Sequence, residues 1–181
     1  MNTRNLALSG LFVAIMLILG YLEKVLSLGW GYGIKLGLSN CVLLLCLYWF
    51  GVGNSLLLMV AKVFLAALLF GGLNAITLSL SLGGGILSMA GMILLVFVVK
   101  DVSPVGAGMV GGVLHNVGQL LVAILLHRFP VLYTYMALLV VIGAVMGAIT
   151  GSLVLRLKHF LPYERRQRFG FAGKKEAPRT S

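Results

Sequence analysis

The sequence predicts an all-α, polytopic membrane protein: a bundle of six transmembrane helices over residues 1–157, followed by a basic tail over 158–181. Three observations predict it. Of the 181 residues, 60% are hydrophobic and only 10% are charged, against about 45–50% and about 25% in soluble domains. Six apolar segments are separated by short runs carrying Gly, Pro or charge. Glycine is abundant, at 24 residues, as suits helices packed closely in lipid. A soluble enzyme, a disordered chain and a collagen-like fibre are excluded, because too few polar residues exist to cover a soluble core.

A bilayer core of about 30 Å needs about 20 apolar residues per helix. The first segment is Leu6–Leu26. Its start, Arg4 followed by an apolar run, imitates a signal peptide, but no small-x-small cleavage pattern follows, so it reads as a retained helix. The second and third segments, Leu36–Phe50 and Ser55–Phe70, are short and are expected to reach into their flanking glycines. The fourth is Leu78–Val99. Ahead of it, residues 74–85 alternate small polar and apolar side chains (Asn74, Thr77, Ser79, Ser81, then Gly83–Gly85). This pattern fits no smooth helical period, and an extended or broken start to the fourth helix is expected. Such backbone is tolerated at membrane depth only where protein or a cavity surrounds it. Val105–Leu126 and Val131–Leu157 complete the set.

Charge sets the topology. Eight of the 14 Lys and Arg residues follow Leu155: Arg156, Lys158, Arg165, Arg166, Arg168, Lys174, Lys175 and Arg179. A basic cluster beside an apolar span is the positive-inside signal, and it also suits anionic lipid headgroups. It carries no groove-reading motif, so no nucleic-acid partner is expected. Six spans then place both termini in the cytoplasm of a cell-membrane protein, and the breaks 27–35, 71–77 and 127–130 outside. Cys41 and Cys46 fit no zinc spacing and read as small buried hydrophobes.

Polar residues inside spans are the functional candidates, since each is costly in lipid. Lys62 lies midway along the third span. We expect no Asp or Glu within a span to pair with it, which leaves snorkelling or a cavity role. His115, Asn116 and Gln119 on the fifth helix stand at i, i+3 and i+4 spacings and are expected to share one face. They form either an interhelical hydrogen-bond cluster or the polar wall of a ligand cavity. Lys35, Ser39 and Asn40 begin the second helix, with Asn40 roughly 7 Å deeper than Lys35 at 1.5 Å per residue. Asn74 and Ser81 belong to the irregular stretch before the fourth helix. Gly83–Gly85 serve either helix packing or a close approach to ligand. On the first helix, Ala7, Gly10 and Ala14 line up as a small-residue face. Gly143, Gly147 and Gly151 do the same on the last helix. Both faces are open to intrachain packing or a partner.

Absences narrow the chemistry. There is no P-loop, no paired carboxylates, no H-E-x-x-H and no Ser/His/Asp set within membrane reach. No clustered aspartates exist to hold magnesium and diphosphate, as a helical prenyltransferase needs. No catalytic residue, metal or cofactor is expected.

The stretches Gly33-Ile-Lys35-Leu-Gly37-Leu-Ser39-Asn40, Ser81-Leu-Gly83-Gly84-Gly85-Ile-Leu-Ser88-Met89 and Gly112-Val-Leu-His115-Asn116-Val-Gly118-Gln119-Leu resemble the Gx transporter family. That family is also labelled heptaprenyl diphosphate synthase component I, and it is similar to the substrate-binding S components of energy-coupling factor (ECF) transporters. The likeness covers roughly residues 4–157. It implies a six-helix subunit that captures a small-molecule substrate, with a separate coupling transmembrane protein and ATPases as partners. It also implies docking on that partner through Ala7, Gly10 and Ala14. Lys35, Asn40, Lys62, Asn74, Ser81, His115, Asn116 and Gln119 are the expected substrate-binding residues. Three roles remain open: a transport subunit for a small anionic or amphipathic molecule, a non-catalytic accessory protein of isoprenoid or quinone synthesis, and a structural scaffold.

Overall fold

The computed structural model describes residues 3–27, 37–71, 74–99, 102–127, 134 and 136–157. Among the described residues there are six α-helices: α1 (Thr3–Ser27), α2 (Leu38–Phe50), α3 (Val52–Ala66), α4 (Ala75–Ile93), α5 (Pro104–His127) and α6 (Met136–Leu157). π-helical turns continue α3 over Ala67–Gly71 and α4 over Leu94–Val98. Five of the helices, all but α2, are long and apolar enough to cross a membrane. Large apolar side chains cover the outside, with Leu125 77% and Val98 66% exposed. Such a surface belongs in lipid, and the chain is a membrane protein.

The short helix is the exception and occupies the centre. Nine of the 13 residues of α2 are buried, and Leu43, Leu47 and Tyr48 are almost wholly enclosed. Contrary to expectation, α2 does not extend through its flanking glycines. Gly37 (φ 76°) and Gly51 (φ 80°) lie in the left-handed region and stop the helix at both ends. At 1.5 Å per residue α2 is only about 20 Å long. The third helix does reach its glycines, running from Val52 through the π turn to Gly71. Phe12 on α1 meets Trp49 and Phe50 on α2 edge-on, with ring centroids 6.1 and 5.6 Å apart.

A second correction concerns residues 74–85. From Ala75 onward this stretch is regular α-helix, started by Asn74, whose side chain accepts a hydrogen bond from the amide of Ile76 at 2.9 Å. Asn is a strong N-cap because its oxygen satisfies an amide that the helix leaves without a partner. The small residues that blurred the period serve packing instead. A Cβ at Gly84 would lie 2.8 Å from the His115 carbonyl oxygen, and one at Gly118 would lie 2.6 Å from that of Gly83. The backbones of α4 and α5 therefore touch.

The α5–α6 seam is built the same way. A Cβ at Gly108 would lie 2.9 Å from the backbone of Gly151, and one at Gly112 would lie 3.2 Å from the Cα of Gly147. In lipid, where tails are as apolar as Leu, such close backbone approach is a main source of helix affinity. The glycine repeat 143/147/151 is thus spent within the chain. The first helix differs: Ala7, Gly10 and Ala14 are exposed, and a Cβ at Gly10 would meet nothing within 4 Å.

Candidate functional site

Residues from five helices line an open pocket of about 280 Å³. It lies at the end of the bundle where α1, α3 and α5 finish and α2 and α4 begin. The last turns of α1 bring Gly20, Glu23 and Lys24; α2 opens with Ser39 and Asn40 and adds Leu43. α3 contributes Met59, Lys62 and Val63, and its π turn brings Phe70. α4 adds Thr77, Ser81 and Gly85, and α5 adds His115 and Gln119. Among the described residues α6 supplies none of the lining.

Gly85 lies against Met59, whose sulfur would be 2.9 Å from a Cβ there. The same close α4–α5 packing fixes the polar wall, since a Cβ at Gly84 would fall 3.0 Å from Nδ1 of His115 and 2.6 Å from Cγ of Gln119. Any side chain at Gly84 would push both residues away from the cavity.

The charged groups are held by short-range contacts. Lys62 Nζ donates to Ser39 Oγ at 2.6 Å, tying the middle of α3 to the first turn of α2. Glu23, only 4% exposed, accepts a hydrogen bond from the amide of Gly37 and so joins the end of α1 to the start of α2. Lys24 Nζ donates to the carbonyl oxygen of Phe70, and the rings of Tyr21 and Phe70 lie 5.1 Å apart. The neutral polar groups are less well served. Asn40 is 6% exposed, and its Nδ2 has no hydrogen-bond partner among the described residues; nor has Nε2 of Gln119. An unpaired buried donor costs about 1–3 kcal/mol, so a ligand that supplies acceptors gains by that amount.

The pocket therefore gathers Asn40, Lys62, Ser81, His115 and Gln119. Two expected residues lie elsewhere. Asn116 donates through Nδ2 to the Leu139 carbonyl at 2.9 Å and braces α5 on α6. It directly follows His115 in a helix with 3.6 residues per turn, so the face shared by His115 and Gln119 turns Asn116 away from the cavity. Asn74 is the exposed N-cap of α4. Lys35 lies outside the described residues. Glu23 corrects the expectation that no carboxylate lies in a span near Lys62, because both line one pocket. Its signal was present in the sequence as the one acidic residue before Asp101. Lys24 and Phe70 were also missed, since a cation and a ring at a helix end read equally well as interfacial anchors.

Among the described residues no three His, Cys, Asp or Glu side chains come together to hold a metal ion. The arrangement is suited to binding by charge and hydrogen-bond donors.

The model of the family described as heptaprenyl diphosphate synthase component I matches residues 12–157. The chain belongs to that family. The matched region contains every lining residue named above, so the pocket lies within the family's own fold. No curated protein and no solved structure matches the chain.

Proposed function

We propose that this component I family member is a non-catalytic, membrane-embedded capture subunit that binds a small anionic or amphipathic molecule from outside the cell for transport. One observation carries the reading: five helices bring two lysines, and two buried amide donors without hydrogen-bond partners among the described residues, to the same pocket. Buried polar groups in a membrane bundle mark substrate pathways more often than structural sites. The apolar part of the wall (Leu43, Met59, Val63) suits the remainder of such a ligand.

The likeness to ECF S components extends the proposal to partners. The exposed strip Ala7, Gly10 and Ala14 is the face that docks on a coupling transmembrane protein, which in turn works with ATPases. The basic residues after Leu155 support a topology with both termini in the cytoplasm. The pocket then opens outward, because α1, α3 and α5 end there.

A second reading has its own support, the family description. In it the protein is an accessory component beside a prenyl diphosphate synthase and presents or senses a diphosphate. Native mass spectrometry of the purified protein separates the two readings from a scaffold by identifying a co-purified molecule. Isolation with ATPases and uptake of that molecule by cells supports transport. Isolation with a prenyltransferase, and no uptake, supports the accessory role. Absence of any bound molecule under gentle extraction rejects both.

A further inference from the structure

The pocket is asymmetric in its hydrogen-bonding capacity. Its lining carries the ammonium groups of Lys24 and Lys62 against one carboxylate, Glu23. Glu23 accepts from the amide of Gly37, at the N-cap of α2. Gly37 has no side chain of its own to cap the helix, and its φ of 76° turns the chain sharply into it. A helix start carries roughly half a positive charge and favours anions, and the Glu23 carboxylate on the Gly37 amide already follows that rule. Here that first turn, Ser39 and Asn40, faces the cavity. Asn40 is more than nine-tenths buried, and its Nδ2 has no hydrogen-bond partner among the described residues. Gln119 is half-buried and lines the same pocket, and its Nε2 also has no hydrogen-bond partner among the described residues. Lys62 is brought to the same helix start by its 2.6 Å bond to Ser39.

We infer that the start of α2 is an anion seat, in which one phosphate or carboxylate group of the ligand is held by Lys62, Asn40 and Gln119 while its apolar remainder lies along Leu43, Met59 and Val63. The inference rests on the capture reading above and narrows it. Size narrows it further. At 280 Å³ the cavity equals roughly nine groups the size of a water molecule. That volume holds a charged head and a ring or short chain, and any longer tail would have to leave through the opening. The same chemistry is offered by a free solute anion and by a phospholipid headgroup entering from the bilayer.

The test uses the full chain in phosphatidylcholine nanodiscs, with phenyl phosphate as probe and benzyl alcohol and benzylamine as neutral and cationic comparators. Phenyl phosphate is expected to bind more tightly than either comparator in calorimetry. Lys62→Met is expected to weaken it by about 30-fold or more, as for loss of one partner of a buried charged pair, and Lys62→Arg to retain most of it. Asn40→Asp replaces the donor with a carboxylate that repels the probe, so phenyl phosphate binding is expected to be lost, and melting without probe establishes that the variant is folded, since a buried charge is costly unless paired. Replacing part of the phosphatidylcholine with phosphatidylglycerol tells the sources apart. Competition with the probe assigns the anion to a lipid headgroup, and no competition assigns it to a free solute; both keep the seat. Binding of benzylamine or benzyl alcohol as tight as that of phenyl phosphate overturns the seat, as does unchanged affinity in folded Lys62→Met and Asn40→Asp. If an endogenous molecule still co-purifies in that event, capture stands and only the seat falls. If nothing co-purifies and no probe binds, both fall.

Discussion

Replacing Gly147 with alanine tests whether backbone contact holds α5 and α6 together. The new Cβ would lie 2.6 Å from the Cα of Met109 and 2.8 Å from the carbonyl carbon of Gly108. Ordinary contact begins at 3.4 Å, so the helices must part by several tenths of an ångström. The obstructing atoms are backbone, which no rotamer change can move aside. Overpacking of this kind costs about 1–3 kcal/mol, and backbone obstruction argues for the upper part of that range. Alanine also gains helix propensity over glycine, about 1 kcal/mol. The net loss is therefore about 1–2 kcal/mol, which lowers the melting temperature by roughly 2–8 °C at this chain length. Gly10→Ala is the internal control. It has the same propensity gain and meets nothing within 4 Å, so its melting temperature should equal or exceed the parent's. Thermal melting of the three proteins in one lipid composition reads the result. A Gly147→Ala protein that melts at or above the parent refutes the close-packed seam.

Other substitutions probe separate parts of the molecule. Gly10→Leu should fold and melt like the parent but co-purify poorly with a coupling partner, because a bulky side chain holds apart two helices that need close approach; normal recovery of the complex rejects the docking face. Asn116→Ala should lose about 0.5–1.5 kcal/mol of stability with its bond to Leu139 and leave ligand affinity unchanged in calorimetry. A fall in affinity without a fall in stability would return Asn116 to the site. A reporter fused after Ser181 should be active only in the cytoplasm, and activity outside contradicts the six-span topology.

The helices were legible because their signal is length and apolarity, which the bilayer imposes on each segment independently. α1, α5 and α6 could be placed to within a few residues where they are described. The start of α4 was not legible, because Ser, Thr and Gly at residues 74–85 carry poor helix propensity. The helix there is sustained by the cap at Asn74 and by contact with α5, neither of which is a local periodic signal. The site was legible in part. His115, Gln119, Asn40, Lys62 and Ser81 stood out as polar residues in apolar runs, and the structure gathers all five. Asn116 looked equivalent by spacing, yet one residue of helical rotation sends it to α6. Glu23 was passed over, although it lies inside the first apolar segment, because nothing in its own stretch of sequence links it to Lys62. Only the fold of α2 against α1 shows that Glu23 is enclosed.

The glycine contacts also divide the bundle mechanically. α4, α5 and α6 meet backbone to backbone, so sliding one along another by part of a turn drives a Cβ-bearing residue into a gap cut for glycine. These three helices are packed as one slab. The contacts described for α1, α2 and α3 are rings and flexible side chains, Phe12 on Trp49 and Phe50, and Lys62 on Ser39, which tolerate small tilts. The pocket spans the boundary, with His115 and Gln119 on the slab and Lys62, Asn40 and Glu23 on the yielding side. A ligand that bridged the two sides would brace them against each other, and α1, which carries Glu23 and Lys24 into the pocket, would be among the helices to feel it.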